Sequence, residues 1–262
     1  MSKIIISDKN IKLDDISSNF KITIDEKNII SKINVDVLNT DRLDIEYNIT
    51  DERKINFNIN IKKNVELLLI DKKIGTNIKS KYQYVLDENA KLVVNKINDC
   101  INNKEYDLAN LNGMNANIKY VLKTISKTSE IYDINVNHNA NNTVSDVYTS
   151  GINIDDGVLI FNITGTVPKG KIGSVVNQNN RIINFTKNKC QINPNLLIDE
   201  MNSEANHSAH ISALDEDDLF YLGLRGINKI EATKLLIKGY LMSDICESEN
   251  NYIIDLTKKY WR

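Results

Sequence analysis

The chain has no long apolar run, no excess of either charge and very little cysteine. Its first residues, MSKIIISDKNIKLDD, hold three consecutive apolar side chains before charge resumes. That is too short for a signal-peptide core or a membrane span, so a cytosolic chain is expected. Lys and Arg number 33 against 35 Asp and Glu, a formal charge of −2, which lacks the electrostatic footprint of a nucleic-acid binder. Cys100, Cys190 and Cys246 are odd in number and far apart. They fit neither a disulfide framework nor a zinc-binding CxxC pattern. There is no Walker A glycine loop, dinucleotide fingerprint or Ser/His/Asp motif context. Any ATP hydrolysis must therefore come from a partner, and the chain by itself is not expected to be an enzyme.

What the sequence does contain is Asn and Ile, together roughly 80 of the 262 positions, interleaved with charged and β-branched residues. With 41% hydrophobic and 26% charged residues, the chain has the composition of a soluble protein and is long enough for one large core or two modest ones. From about Ser31 to Asn184 the dominant period is two. INVDV (33–37), LDIEYNI (43–49), INFNINI (55–61), LVVNKI (92–97), IKYVLKTI (118–125) and IYDINVN (131–137) alternate apolar and polar residues as half-buried strands do. The strands recur every ten to fifteen residues with no helical pattern between them, which excludes an alternating βαβ sheet and leaves a sandwich, a barrel or a solenoid. Asn-rich bends favour the solenoid, because Asn tolerates left-handed φ values and can ladder its amide from coil to coil. No short repeat such as a hexapeptide supports it.

The pattern changes after His207. Asp215 precedes EDDLFYLGL, with acidic residues filling the first turn and Leu219, Tyr221 and Leu222 directed to one side. Gly226 after Arg225 is placed to stop this helix, with Ile227 as the accompanying apolar contact. Asn228 and Glu231 form a capping pair for a second helix, with Ile230, Leu235 and Leu236 as its apolar stripe and Gly239 as its end. A third helical segment is expected from Asp244 through Trp261. The division is a β body over 1–213 and a helical domain over 214–262.

Within LDEDDLFYLGLRGINKIEATKLLIKGYL, the ordered set Asp215, Leu219, Phe220, Tyr221, Arg225, Gly226, Ala232, Leu235, Leu236, Gly239 and Tyr240 resembles the C-terminal signature of the SufB/SufD family, scaffold subunits of the sulfur-mobilisation system for iron–sulfur cluster assembly. NHSAH resembles the strand before that signature, with His207 followed by Ser208 in the SufD manner. NLLID (195–199) resembles the family's Leu-Leu strand, one coil earlier. The specific resemblance covers roughly the last quarter of the chain. Two departures stand out: only EMNSEA separates the Leu-Leu strand from the His strand, and no helical region precedes the strands.

The resemblance implies a right-handed parallel β-helix with a small C-terminal helical domain. It also implies docking of a SufC-type ABC ATPase through the tail, pairing with a second SufB/SufD-type subunit or with itself, and a transient iron–sulfur cluster. Candidate docking residues are Leu219, Phe220, Tyr221, Arg225, Gly226, Leu235, Leu236, Gly239 and Tyr240. These aromatics also suit a plainer role as a cap on the solenoid, and one face can cap while the other docks. Candidates for handling cluster or sulfur are His207, Cys190 and Glu204. His207 supplies an imidazole ligand or proton relay. Cys190 can accept sulfur as a thiolate, although Asn193 occupies the slot of the SufB cysteine, and a lone buried cysteine is more often packing. Glu204 and Glu200 offer hard oxygen ligands, but such loop acids are usually solvated. His210 lies on the opposite strand face from His207, and His138 is placed in an Asn-rich turn with no special role. The rivals are a structural or regulatory partner of the ATPase that holds no cluster and, more remotely, a carbohydrate-active solenoid.

Overall fold

The computed structural model describes residues 2–4, 10–13, 20–25, 31–39 and 41–261. Its strands, numbered in chain order, form two parallel sheets. The odd strands are β1 (Ser2–Ile4), β3 (Phe20–Asp25), β5 (Arg42–Ile49), β7 (Glu66–Thr76), β9 (Lys91–Ile101), β11 (Asn117–Ser126), β13 (Val144–Asn153), β15 (Val175–Asn184) and β17 (Glu204–Ser212), stacked in that order. The even strands are β2 (Asn10–Leu13), β4 (Lys32–Val37), β6 (Arg53–Ile61), β8 (Ile78–Leu86), β10 (Lys104–Leu111), β12 (Ser129–His138), β14 (Val158–Val167) and β16 (Gln191–Ile198), likewise stacked in order. The chain is a parallel β-helix with two strands per coil. All six alternating segments read from the sequence fall on strands.

The coil explains why no short repeat is visible. Lys32 pairs with Asn56, Lys79 with Lys104 and Ile160 with Gln191. The offset along the chain from one coil to the next thus rises from 24 to 25 and then to 31. The repeat is long and changes length along the chain, while the ten-to-fifteen-residue spacing of strands is half a coil. NLLID lies on β16, half a coil before β17 rather than one coil earlier.

The corners show what Asn is for. Asn64, Asn89, Asn115 and Asn142 all have φ between 55° and 61°, and Gly173 takes the next place at φ 72°. Each donates its backbone N–H to a carbonyl one coil on, from Asn64 to Glu88 (3.0 Å) through Asn142 to Ile172 (2.9 Å) and Gly173 to Asn202 (2.8 Å). The side-chain amides ladder as well, Asn89 donating to Asn64 and Asn115 to Asn89, both at 2.9 Å. Asn77 and Asn102 form a second corner stack at 3.1 Å.

Inward residues such as Ile45, Ile59, Leu69, Val94 and Phe161 fill the interior. β9 and β11 depart from alternation because both their faces are buried: Ile97, Val121 and Ile125 point outward and are covered by the helical tail.

Asn115 is the corner position that tests this account. Asn115→Ala removes the ladder bond and places a β-carbon at left-handed φ, and should lower unfolding stability by about 1–2 kcal/mol. Asn115→Gly, which relieves φ but not the ladder, should cost less. Denaturant unfolding of the two variants against wild type reads the difference.

Candidate functional site at the open end and the helical tail

β16 and β17 are the last strands of their sheets, so the solenoid ends in two strand edges that no further strand covers. His207 sits on β17, exposed, in register with Gln178 of β15. The inward side chains of β15 include Val176, Gln178, Asn180 and Ile182, so His207 belongs to the inward face at the open mouth. Glu204 is three residues away and therefore on the other face. His210 also points outward, in register with Arg181.

Cys190 lies just before β16, half-buried against the interior, and burial pushes its thiol up, which favours the thiol over the reactive thiolate. Its thiol is beside the Leu159 backbone, and the Leu159 side chain occupies the space above Gly151. Gly151 aligns with Ile182, and Ile182 with Ile211. Cys190 thus faces the row ending in Ile211, four residues beyond His207, or about 13 Å along the strand. The open end does not gather His207, Cys190 and Glu204 into one cluster.

His138 is not in a turn. It ends β12 with its ring fully buried, between the hydroxyls of Thr143 (2.8 Å) and Ser145 (2.9 Å), and burial lowers its pKa to about 4. It is a neutral core residue.

The tail consists of α1 (Glu216–Leu224), α2 (Lys229–Met242), a 3-10 turn (Glu247–Glu249) and α3 (Asn250–Tyr260). Asp215 caps α1 through the Asp217 N–H at 2.8 Å. Its end is a Schellman closure: Gly226, at φ 82°, donates to Gly223 at 3.0 Å and Ile227 to Leu222 at 3.2 Å. Asn228 caps α2 through the Glu231 N–H at 3.0 Å. Gly239 does not end α2; the helix runs on to Met242 and the left-handed residue is Asp244, φ 63°. A glycine costs a helix interior only about 1 kcal/mol, and the packed neighbours Ile237 and Leu241 hold the turn. Asp244 consequently lies in the break before the last helix.

One face of the tail is committed to the body. Ile237, Leu241, Ile245, Ile253 and Leu256 pack on Ile97, Val121, Ile125 and Ile152. Asp99 accepts from Lys127 at 2.9 Å, from Lys259 at 2.6 Å and from the Tyr260 hydroxyl. Glu249 is paired with Arg42 at 3.1 Å and Lys72 at 2.5 Å. The Tyr240 hydroxyl donates to the Arg181 carbonyl at 2.7 Å, placing this aromatic against the sheet. The buried stripe of α2 is therefore Ala232, Ile237 and Leu241, whereas Ile230 and Leu235 of the expected stripe are exposed.

The other face is open. No residue of α1 is buried; Phe220 is 68% exposed, Leu224 71% and Ile230 61%, Tyr221 is also exposed, and Leu235 is exposed in a groove shared with Ile254 of α3. The Arg225 guanidinium stacks over the Tyr221 ring, 4.5 Å from its centroid. Leu219 and Leu222 are half-buried, as is Leu236 on α2.

The profile of the family described as "SUF system FeS cluster assembly, SufBD core domain" matches residues 64–240, more than half of the chain. The chain belongs to the SufB/SufD family. It is 37% identical over 92 residues to iron-sulfur cluster assembly protein SufD of Bacillus subtilis, covering 35% of this chain and 21% of that one. Over 62 residues it is 32% identical to an iron-sulfur cluster assembly SufBD family protein of Pyrococcus horikoshii, covering 24% of this chain and 14% of the relative. Over 124 residues it is 26% identical to one of Staphylococcus saprophyticus, covering 46% of this chain and 26% of the relative. The matches thus span about a quarter or less of these relatives' lengths.

This SufB/SufD solenoid also has a buried polar centre that reading by strands passed over. Lys73 and Lys96 are completely buried inside β7 and β9, opposite Glu105 and Asp107 of β10. Lys96 donates to Glu105 and Asp107, both at 2.7 Å, and its ammonium lies 3.3 Å from the centroid of the Tyr82 ring. Lys73 donates to Ser80 at 2.7 Å and to Glu105. Tyr120 donates to Asp107 at 2.8 Å. Burial raises Asp107 to about 7, against the pull of Lys96. Glu105, despite burial, is held well below the usual carboxylate range by both lysines.

One coil on, Glu130 is also buried, accepting from Tyr132 at 2.7 Å and Thr124 at 2.8 Å, and burial lifts it to about 8. The signal was present in the sequence: DKK (71–73), NKIND (95–99) and EYD (105–107) put charge at inward positions of strands.

A carboxyl raised this way binds its proton more tightly folded than unfolded, so its contribution is complete below the unfolded pKa and fades as pH rises through the folded one. Wild type should lose stability between about pH 5 and 8 relative to Glu130→Gln, on the order of 4 kcal/mol in total. Thermal unfolding across that pH range measures it; parallel curves for the two proteins would contradict it.

Proposed function

We propose that this chain is a scaffold subunit for iron–sulfur cluster assembly. It docks a SufC-type ATPase through α1 and the start of α2, and pairs through the open end of its β-helix with a second SufB/SufD-type subunit or a copy of itself. The observation that carries this reading is the two-sided tail: one face is clamped to the solenoid, and the other leaves Phe220, Tyr221, Leu224, Ile230 and Leu235 in solvent. Exposed aromatic and aliphatic side chains on α1, with Arg225 stacked on Tyr221 and acidic residues in the first turn, are the anatomy of a protein-binding site. ATP hydrolysis then belongs to the partner, and the uncovered edges of β16 and β17 supply backbone groups for pairing. His207, at the mouth, is the residue placed to meet iron or sulfur delivered there; Glu204 lies on the outward face of the same strand. Among the described residues, no helix is long and apolar enough to cross a membrane.

A second reading, a subunit that docks the ATPase without holding a cluster, draws support from Cys190, whose thiol is raised and set about 13 Å from His207 along the strand. Under this reading the partner contributes the ligands.

Anaerobic co-purification of the full chain with its cognate ATPase tests the docking. Phe220→Asp with Leu224→Asp should reduce ATPase retention at least tenfold while leaving the circular dichroism spectrum unchanged, because both side chains are exposed. Full retention by this variant would remove the docking reading. Iron and sulfide reconstitution of the complex carrying His207→Ala separates the two readings: lost cluster yield supports the scaffold, and unchanged yield the docking-only subunit.

A further inference from the structure

The residue beneath His207 is a buried amide that the fold pairs on one side only. Gln178 is only 3% exposed, and the nitrogen of its amide donates to the Asn195 carbonyl of β16, across the interior, at 3.2 Å. A carbonyl only accepts, so this bond fixes which way the amide faces: nitrogen towards Asn195, oxygen away from it. Gly165 makes room for the arrangement, since a β-carbon there would stand 2.6 Å from a methyl of Val176 and 3.4 Å from the Gln178 nitrogen. The amide oxygen, Oε1, is buried and has no hydrogen-bond partner. A buried acceptor left unpaired typically costs about 1–3 kcal/mol, so a fold that pins one half of an amide and leaves the other half unpaired requires an explanation.

Strand register supplies one. Along its column, Gln178 has Val147 below it and His207 above it. Val147 has no side-chain proton to give; an imidazole has one. His207 is exposed on the last strand of its sheet, with no further strand stacked over it, which leaves the ring free to turn.

We infer that Gln178 is the positioning residue for His207: its Oε1 accepts a ring N–H when the imidazole turns in over the mouth, which fixes the tautomer and presents the other nitrogen, unprotonated, to the outside. A ligating histidine commonly has its second nitrogen held in this way, and the holder sets ring orientation and basicity. This rests on the reading of His207 as the residue that meets the incoming iron, for which a neutral imidazole is a suitable ligand. Gln178 touches neither metal nor sulfur in this scheme.

The test uses the full chain with Co²⁺ as the probe, followed by visible absorption, together with nitrogen-15 NMR of the His207 ring. Wild type should show one dominant tautomer. Gln178→Leu should equalise the two tautomers and weaken Co²⁺ binding about 10–100-fold. Gln178→Glu, which keeps an acceptor, should restore one tautomer and binding. If His207→Ala abolishes Co²⁺ binding while Gln178→Leu changes neither tautomer nor affinity, the role of Gln178 is overturned and that of His207 stands. If His207→Ala binds Co²⁺ as wild type does, the reading of His207 itself falls. Should Gln178→Leu fail to fold, the wild-type spectrum still decides: a ring with the tautomer mixture of free histidine overturns the inference.

Discussion

Every coil of this molecule sits on the one before it in strict register, and most other features follow from that stacking. A side chain placed inward meets its counterparts one coil above and below at the strand spacing of about 4.8 Å. Apolar residues therefore come in columns, and a polar residue inside must be answered nearby. Lys96 stands beside Asp71 in register and faces Glu105 and Asp107; Asn180 bridges the Thr149 hydroxyl to the Ser208 carbonyl. The same logic governs the corners, where left-handed Asn residues repeat because each must lie over the last.

Much of this was legible. Alternation located the strands, Asn abundance pointed to stacked bends, and the caps at Asp215, Gly226 and Asn228 placed two helices close to their observed limits. The failures have physical causes. Period-two reading assumes one wet face, so LVVNKI and IKYVLKTI read as half-buried strands, whereas β9 and β11 are dry on both faces beneath the tail. The repeat escapes notice because it changes length from coil to coil while preserving only corner geometry. A helical wheel identifies apolar residues but not which of them a neighbouring sheet will claim; for this reason Ile230 and Leu235 read as inward while Ala232, Ile237 and Leu241 are the residues buried.

Residues of the candidate site could be named from the sequence, but their arrangement could not. His207 could be placed on a strand before the helices, but its position at the mouth above a buried amide depends on pairing with β15, a full coil earlier in the chain. Cys190 and His207, close in a list of candidates, fall on different columns. Tyr240, Asp99 and Glu249 secure α2 and α3 to the body, and this leaves α1 supported yet uncovered. A rigid foundation beneath an exposed apolar face lowers the entropy lost when a partner binds.

The coils lengthen along the chain, as the β4–β6 pairing set against that of β14 with β16 makes evident, so successive coils are not interchangeable. A uniform β-solenoid with bare ends is a natural monomer for an endless fibre, head stacking on tail. Here a late coil carries more residues than an early one, so the two ends do not present the same repeat to one another.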